Sequence, residues 1–200
     1  MDKIIGMGNA LVDVLVRIDD DSLLEKLHLP KGSMQLIQED TLSEIRKYTS
    51  GMKIHRSTGG SAGNTVCALA ALGANPGFIG KVGQDETGVF FGDTLRQRGV
   101  NALLATCDLP SGIASTFIST DGERTFGTYL GVAATLRAED LSRKMFAGYN
   151  YLYIGGYLLQ DHDLMLRAVQ LAKEEGLQVC LDMASYNVVE AERDFFDQLI

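Results

Sequence analysis

The sequence predicts an α/β protein: a mostly parallel sheet flanked by helices, with a small antiparallel sheet set beside it. Three observations carry that expectation. Short β-branched runs alternate with helix-period segments, as strand–helix–strand crossovers require. Glycines close the helical runs at Gly73, Gly99 and Gly176. Asp121-Gly122 lies between two strand-like runs, a hairpin turn that a purely parallel sheet would not contain.

Residues 3–8 and 12–18 read as strands, β-branched and flanked by turn residues. Residues 21–27 are helical, with Ser22 near the start, and 32–38 read as another short strand. Residues 41–49 are amphipathic, with Leu42, Ile45 and Tyr48 along one face. Residues 64–72 form a glycine-fed helix, and 77–82 a strand. The helix over 86–98 should turn Val89, Phe90 and Leu95 inward. Residues 113–119 and 125–130 are the hairpin strands, and 151–154 a buried strand before Gly155-Gly156. A helix over 164–175 and a strand over 177–181 complete the alternation. The small sheet is thus expected around residues 12–18, 32–38 and 113–130.

The last ten residues, AERDFFDQLI, carry no glycine, asparagine or proline to close a helix. A parallel sheet of about four strands would also leave an exposed edge. Residues 1–200 are therefore expected to be the N-terminal portion of a larger α/β domain.

Composition narrows the function. With 46% hydrophobic and 22% charged residues the chain is globular rather than disordered. A net charge of −8, with its basic residues scattered, argues against a nucleic-acid partner. Cys67, Cys107 and Cys180 are odd in number and far apart, which suits reduced thiols in a cytoplasmic protein. His28, His55 and His162 show no metal-ligand spacing, so no metal site is expected from them. The chain enters a strand at once, with no leader pattern. Residues 57–80 carry no charge, but glycines and Pro76 break the run, so no membrane span is expected.

The chemistry centres on TGGSAGNTVCALAALG, residues 58–73. No lysine follows Gly63 as a P-loop demands, and neither Gly6-Met-Gly8 nor the later glycines have dinucleotide-fingerprint spacing. Bare backbone N–H groups beside the Asn64 amide suit a neutral polyhydroxyl ligand instead. The same glycines, with Ala62, Ala68, Ala70 and Ala71, equally suit close packing of a helix on a sheet. Asp13 is the only charge in the apolar run of residues 10–16. A carboxylate there needs a partner or a wet cleft, and it can accept two hydrogen bonds from neighbouring sugar hydroxyls. An aspartate on a solvent-facing strand position is the alternative. Asn9 follows the first strand, at the sheet end where open α/β folds bind ligands.

These segments resemble the ribokinase-like (pfkB-type) carbohydrate kinases over essentially the whole chain. The matching blocks are GMGNALVDVLV (6–16), GGSAGNTVCALAALG (59–73), GKVGQDETG (80–88) and the FFGDTLRQRGV after it. GERTFGTYLGVAATL (122–136), YLYIGGYLL (151–159) and LDMASYN (181–187) complete the match. The GMGN…D opening and YIGGYLL strand are most similar to the adenosine-kinase and nucleoside/sugar-kinase branch. The resemblance implies a Rossmann-like ribokinase fold in which Asn9, Asp13, Gly60, Ser61 and Asn64 bind sugar or ribose hydroxyls. It implies that Phe126 and Tyr157 line the ring of the substrate; a core role for Tyr157 stays open. The small sheet would be the family's lid, a surface through which two copies also pair in some members.

The implied activity is transfer of the γ-phosphate of ATP, with Mg²⁺, to a hydroxyl of a sugar or nucleoside, a sugar being favoured. An adenosine kinase, or a non-catalytic sugar- or nucleoside-binding module, is the alternative. The family's GAGD-type segment, whose aspartate is the base, is absent from the sequence, so no catalytic residue is expected within 1–200. Asn187-Val-Val-Glu190 spells the family's NxxE, but it follows LDMASYN directly, one element too early.

Overall fold

The computed structural model describes residues 2–199. Strand β1 (Ile4–Met7) passes through residues 8–10 into β2 (Leu11–Arg17). Then come α1 (Ser22–Lys26), the short strand β3 (Met34–Leu36) and α2 (Glu39–Tyr48). Next are β4 (Ile54–Gly59), α3 (Ser61–Ala71), β5 (Gly77–Gly83) and α4 (Glu86–Gln97). Strands β6 (Asn101–Cys107), β7 (Gly112–Ile118) and β8 (Arg124–Tyr129) lead into short 3₁₀ turns beginning at Gly131–Thr135. The chain continues through β9 (Tyr151–Ile154), a turn at Gly156–Leu158, α5 (His162–Glu174) and β10 (Gln178–Leu181). Helices α6 (Tyr186–Ala191) and α7 (Arg193–Leu199) end the described chain.

Two five-stranded sheets result. The core sheet is parallel throughout, in the order β10-β9-β1-β5-β6. Alternate residues of its strands face opposite layers. Ile5, Met7 and Ile79 pack towards α5, with Leu164, Leu171 and Phe195. On the other face Phe78 and Val82 pack with Val66, Phe91 and Leu95 of α3 and α4. The Phe78 and Phe91 rings meet tilted, with centroids 5.5 Å apart. Close approach of α3 to β1 requires glycine: a Cβ on Gly6 would lie 2.6 Å from Val66 Cγ1, and one on Gly8 2.7 Å from Ala62 Cβ.

The second sheet, β3-β8-β7-β2-β4, is mixed rather than antiparallel. β2 runs parallel to β7, and β3 parallel to β8, while β2–β4 and β7–β8 are antiparallel. The reason is topological. β2 and β7 both leave the carboxyl ends of parallel core strands, β1 and β6, and so set out in the same direction. One face of this sheet is sealed by α1 and α2 through Val16, Phe117, Leu24, Leu27 and Ile45.

Several local expectations shift. Helix α3 begins at Ser61, three residues before the expected start, so Asn64 lies inside its first turn. In α4 the buried stripe is Gly88, Phe91, Gly92 and Leu95, and Val89 is 61% exposed. A count of apolar residues overlooks a helix face built on glycines. Tyr48 is exposed, and only Leu42 and Ile45 of its expected stripe are buried. Strands β4 (IHRSTG) and β6 (NALLATC) were not expected from sequence. The first lacks an apolar alternation, and the second reads as readily as a helix. Among the described residues no helix is long and apolar enough to cross a membrane.

Candidate functional site

The carboxyl ends of β1, β9 and β10 converge on the N-terminus of α3. Gly60 precedes that helix with φ 80°, and a Cβ on it would lie 2.4 Å from Asn9 O. Only glycine allows both the dihedral and the approach. Helix α3 has no side-chain cap and no acidic residue in its first turn. The Asn64 N–H already donates to Gly60 O, which leaves the N–H groups before it as donors without an intrahelical partner. Helix packing and an open donor loop, alternatives in the sequence, therefore coexist: Gly6 and Gly8 serve the first, Gly60 the second.

Asp13 sits mid-strand in β2, opposite Ser57 of β4 and Ala114 of β7. Its side chain makes no hydrogen bond or ion pair with any described residue, and burial pushes its carboxyl above the usual range. The carboxylate lies over Gly59, where a Cβ would fall 2.0 Å from Oδ1. Gly59 and Gly60 thus touch both candidate polar groups, Asp13 and the Asn9 backbone.

Strand alternation places Leu11, Asp13 and Leu15 on the face opposite Val12, Val14 and Val16. Ladder registers carry that face across Thr116 of β7 and Phe126 of β8 to Met34 of β3. Phe126 therefore shares the Asp13 face, with the Arg124 guanidinium 5.9 Å above its ring centroid. Met34 and Leu36, at the edge, are 50% and 60% exposed.

Tyr157 lines a cleft of about 230 Å³ together with Asn9, Leu130, Arg137 and Gln160. At 43% exposed it is not a core aromatic. The Ser61 hydroxyl donates to Asp182 Oδ2 at 3.0 Å, while Asp182 Oδ1 accepts from the Ala184 N–H. Asn64 is exposed and lines a separate groove with Cys67 and Arg98. The structure thus brings Asn9 and Tyr157 into one cleft, and Asp13 and Phe126 onto one sheet face. The two groups meet at Gly59-Gly60, and Asn64 stands apart from the cleft.

Sequence reasoning missed Asp182, which holds Ser61, and Gly59, which lies under Asp13. Asp182 had a signal: it is an acid at the carboxyl end of a core strand, where open α/β sheets bind ligands.

The donor set fits hydroxyl groups: one unpartnered carboxylate, an asparagine, and backbone N–H groups at close range. Among the described residues no three His, Cys, Asp or Glu side chains gather into a metal-holding group. The residues present therefore do not make a cage for Mg²⁺.

Known proteins are similar to this chain in sequence and fold. The chain is 30% identical over 134 residues to a probable fructokinase-4 of Arabidopsis thaliana, covering 64% of this chain and 41% of that protein. It is 29% identical to the aminoimidazole riboside kinase of Salmonella typhimurium, covering 71% and 46%. The crystal structure of adenosine kinase from Sinorhizobium meliloti superposes with a TM-score of 0.85 at 32% identity, covering 99% of this chain and 61% of that one. The chain thus spans under half the length of these curated relatives. The glycine-fed α3 and four of the five strands of the second sheet, β3, β4, β7 and β8, lie within a match to pfkB family carbohydrate kinase over residues 34–195, and the chain belongs to that family.

Proposed function

We propose that this chain is the acceptor-binding part of a kinase that moves the γ-phosphate of ATP, with Mg²⁺, onto a hydroxyl of a sugar. The observation that carries the reading is Asp13, a half-buried carboxylate with no partner among the described residues, set over Gly59. An acceptor bringing two hydroxyls supplies the hydrogen bonds that the protein withholds. Asn9, Gly60 and Ser61 would complete the polar contacts, and Phe126 and Tyr157 the ring contacts; Asn64, which lines a separate groove, is not among them. The second sheet would act as the lid, closing the Asp13 face over the acceptor and excluding water. The general base and the phosphoryl-binding helix start are proposed to lie outside these residues. A cytoplasmic setting, where ATP is supplied and thiols stay reduced, belongs to the same reading.

A nucleoside acceptor is the second reading. It is favoured by the apolar side chains of Leu15, Phe126 and Met34, which share the Asp13 face on either side of Thr116 and suit a base better than a free hexose. Pairing of two copies would engage the exposed edge at Met34 and Leu36, and light scattering of the purified chain reads it directly.

The test is ADP release from Mg·ATP with fructose, ribose and adenosine. The chain alone should release none. Joining it to the C-terminal remainder of the Sinorhizobium meliloti adenosine kinase should give acceptor-dependent release that Asp13→Ala abolishes. Acceptor binding without release in that folded chimera would favour a non-catalytic binding module.

A further inference from the structure

The chain crosses between the two sheets four times: at residues 8–10, 59–60, 108–111 and 130–131. Two side chains of the GKVGQDETG segment hold two of these passages. Lys81, on β5, donates to Asp140 Oδ2 at 2.8 Å, to Asp140 Oδ1 at 3.1 Å and to the Thr135 carbonyl at 3.1 Å. Its side chain is only 15% exposed and that of Asp140 18%, so this is an enclosed pair, unlike the exposed ion pairs elsewhere on the surface. It ties the segment after β8 down onto the core sheet. Asp85 accepts from the Ser111 N–H at 2.8 Å, the Ser111 hydroxyl at 2.6 Å and the Gly88 N–H at 2.7 Å. Ser111 Oγ in turn accepts from the Gly83 N–H at 2.8 Å. That network ties down the passage into β7.

The two held passages also hold each other. The Val132 N–H donates to Pro110 O at 2.8 Å, and a Cβ on Gly131 would lie 2.3 Å from the same carbonyl. From here the geometry reaches the acceptor groups by two routes. Gly112 pairs with Leu11, with its Cβ position 3.2 Å from Ala10 O, and the β2–β7 ladder then carries Asp13 opposite Ala114. The other passage supplies Leu130 and Arg137 to the wall facing Asn9 and Tyr157.

We infer that Lys81 and Asp85 are positioning residues for the acceptor site: by clamping residues 131–140 and 108–111 they fix where Asp13 and the Asn9 cleft wall stand. The inference rests on the acceptor reading of Asp13 and Asn9. It gives the GKVGQDETG segment a mechanical role, since neither Lys81 nor Asp85 lines the Asn9 cleft.

Hydrogen exchange followed by mass spectrometry tests the clamp without any ligand. Lys81→Met should raise exchange across residues 131–141 roughly tenfold and leave β9 and α5 unchanged. Asp140→Asn, which keeps an acceptor for the Arg137 N–H, should act in the same place to a smaller extent, and it stands in if Lys81→Met fails to fold. Ser111→Ala should raise exchange at 108–112. Titration with fructose, ribose and adenosine then reads positioning: Lys81→Met should weaken the acceptor that binds about tenfold, and adding Asp140→Asn should weaken it no further. Unchanged exchange in 131–141, or a rise spread evenly over the chain, overturns the clamp. Raised exchange with undiminished affinity overturns the positioning role alone. Failure of the unaltered chain to bind any of the three refutes the acceptor reading, and the positioning role with it.

Discussion

Asparagine in place of Asp13 separates binding from stability, because the two should move in opposite directions. In the unliganded chain the carboxylate is half-buried with no partner among the described residues, and burial raises its pKa. A carboxyl raised on folding keeps its proton to higher pH in the folded chain than in the unfolded one. Stability therefore falls as pH climbs from about 4, the ordinary carboxyl value, through the folded value, above which the cost is fully present. Asp13→Asn is nearly isosteric, and its side chain can lie over Gly59 as the carboxylate does. It should leave stability at neutral pH unchanged or raised, and flatten the decline just above about pH 4. Binding should suffer. Two hydroxyl hydrogen bonds to a carboxylate contribute about 1.5–3 kcal/mol each, and neutral ones about half of that. The expected loss is about 1.5–3 kcal/mol, roughly 10- to 150-fold in affinity. Urea unfolding at several pH values and calorimetric titration of the acceptor measure the two effects separately. A drop in stability of about 1 kcal/mol or more with affinity unchanged would refute the reasoning and make Asp13 a structural residue.

Gly60→Ala forces a side chain into φ 80° and against Asn9 O, and should cost about 1–3 kcal/mol in urea unfolding while also removing acceptor binding. Phe117→Ala empties the fully buried centre between the second sheet and its helices; a loss of about 3–5 kcal/mol is expected by the same measurement. On the second sheet, hydrogen bonds from Lys31 hold both Asp21 and Asp121 below the usual carboxylate range. Depressed acids contribute stability above their unfolded values and lose it as pH falls through the folded ones. Exchange at the hairpin turn should therefore quicken in acid below about pH 4, and Lys31→Met should remove that dependence.

What the sequence disclosed depended on where periodicity and chemistry coincide. The core strands β1, β5 and β9 and helix α5 stood out because their burial matches their apolar pattern. Asp13 and the glycine loop stood out because a charge in an apolar run, and glycines before a helix, are each anomalous without a ligand or a close approach. Strand β4 was hidden because its His-Arg-Ser-Thr run becomes a strand only through pairing with β2. The mixed character of the second sheet was hidden for a related reason. Local hairpin chemistry at Asp121-Gly122 reports one antiparallel pair, but the β2–β7 pairing joins residues about a hundred positions apart, and no local signal encodes it. Asp182 was missed because its partner Ser61 lies 121 residues away.

The central claim is that a polyhydroxyl acceptor is held between Asp13 and the Gly59-Gly60 loop. Backbone amide shifts of the isotope-labelled chain, followed during titration with fructose, ribose and adenosine, test it most directly. Saturable shifts are expected at Gly59 through Gly63 and around Asp13 with at least one of the three, while β6 stays unmoved. Saturable shifts confined to other surfaces, or none with any of the three, would contradict it.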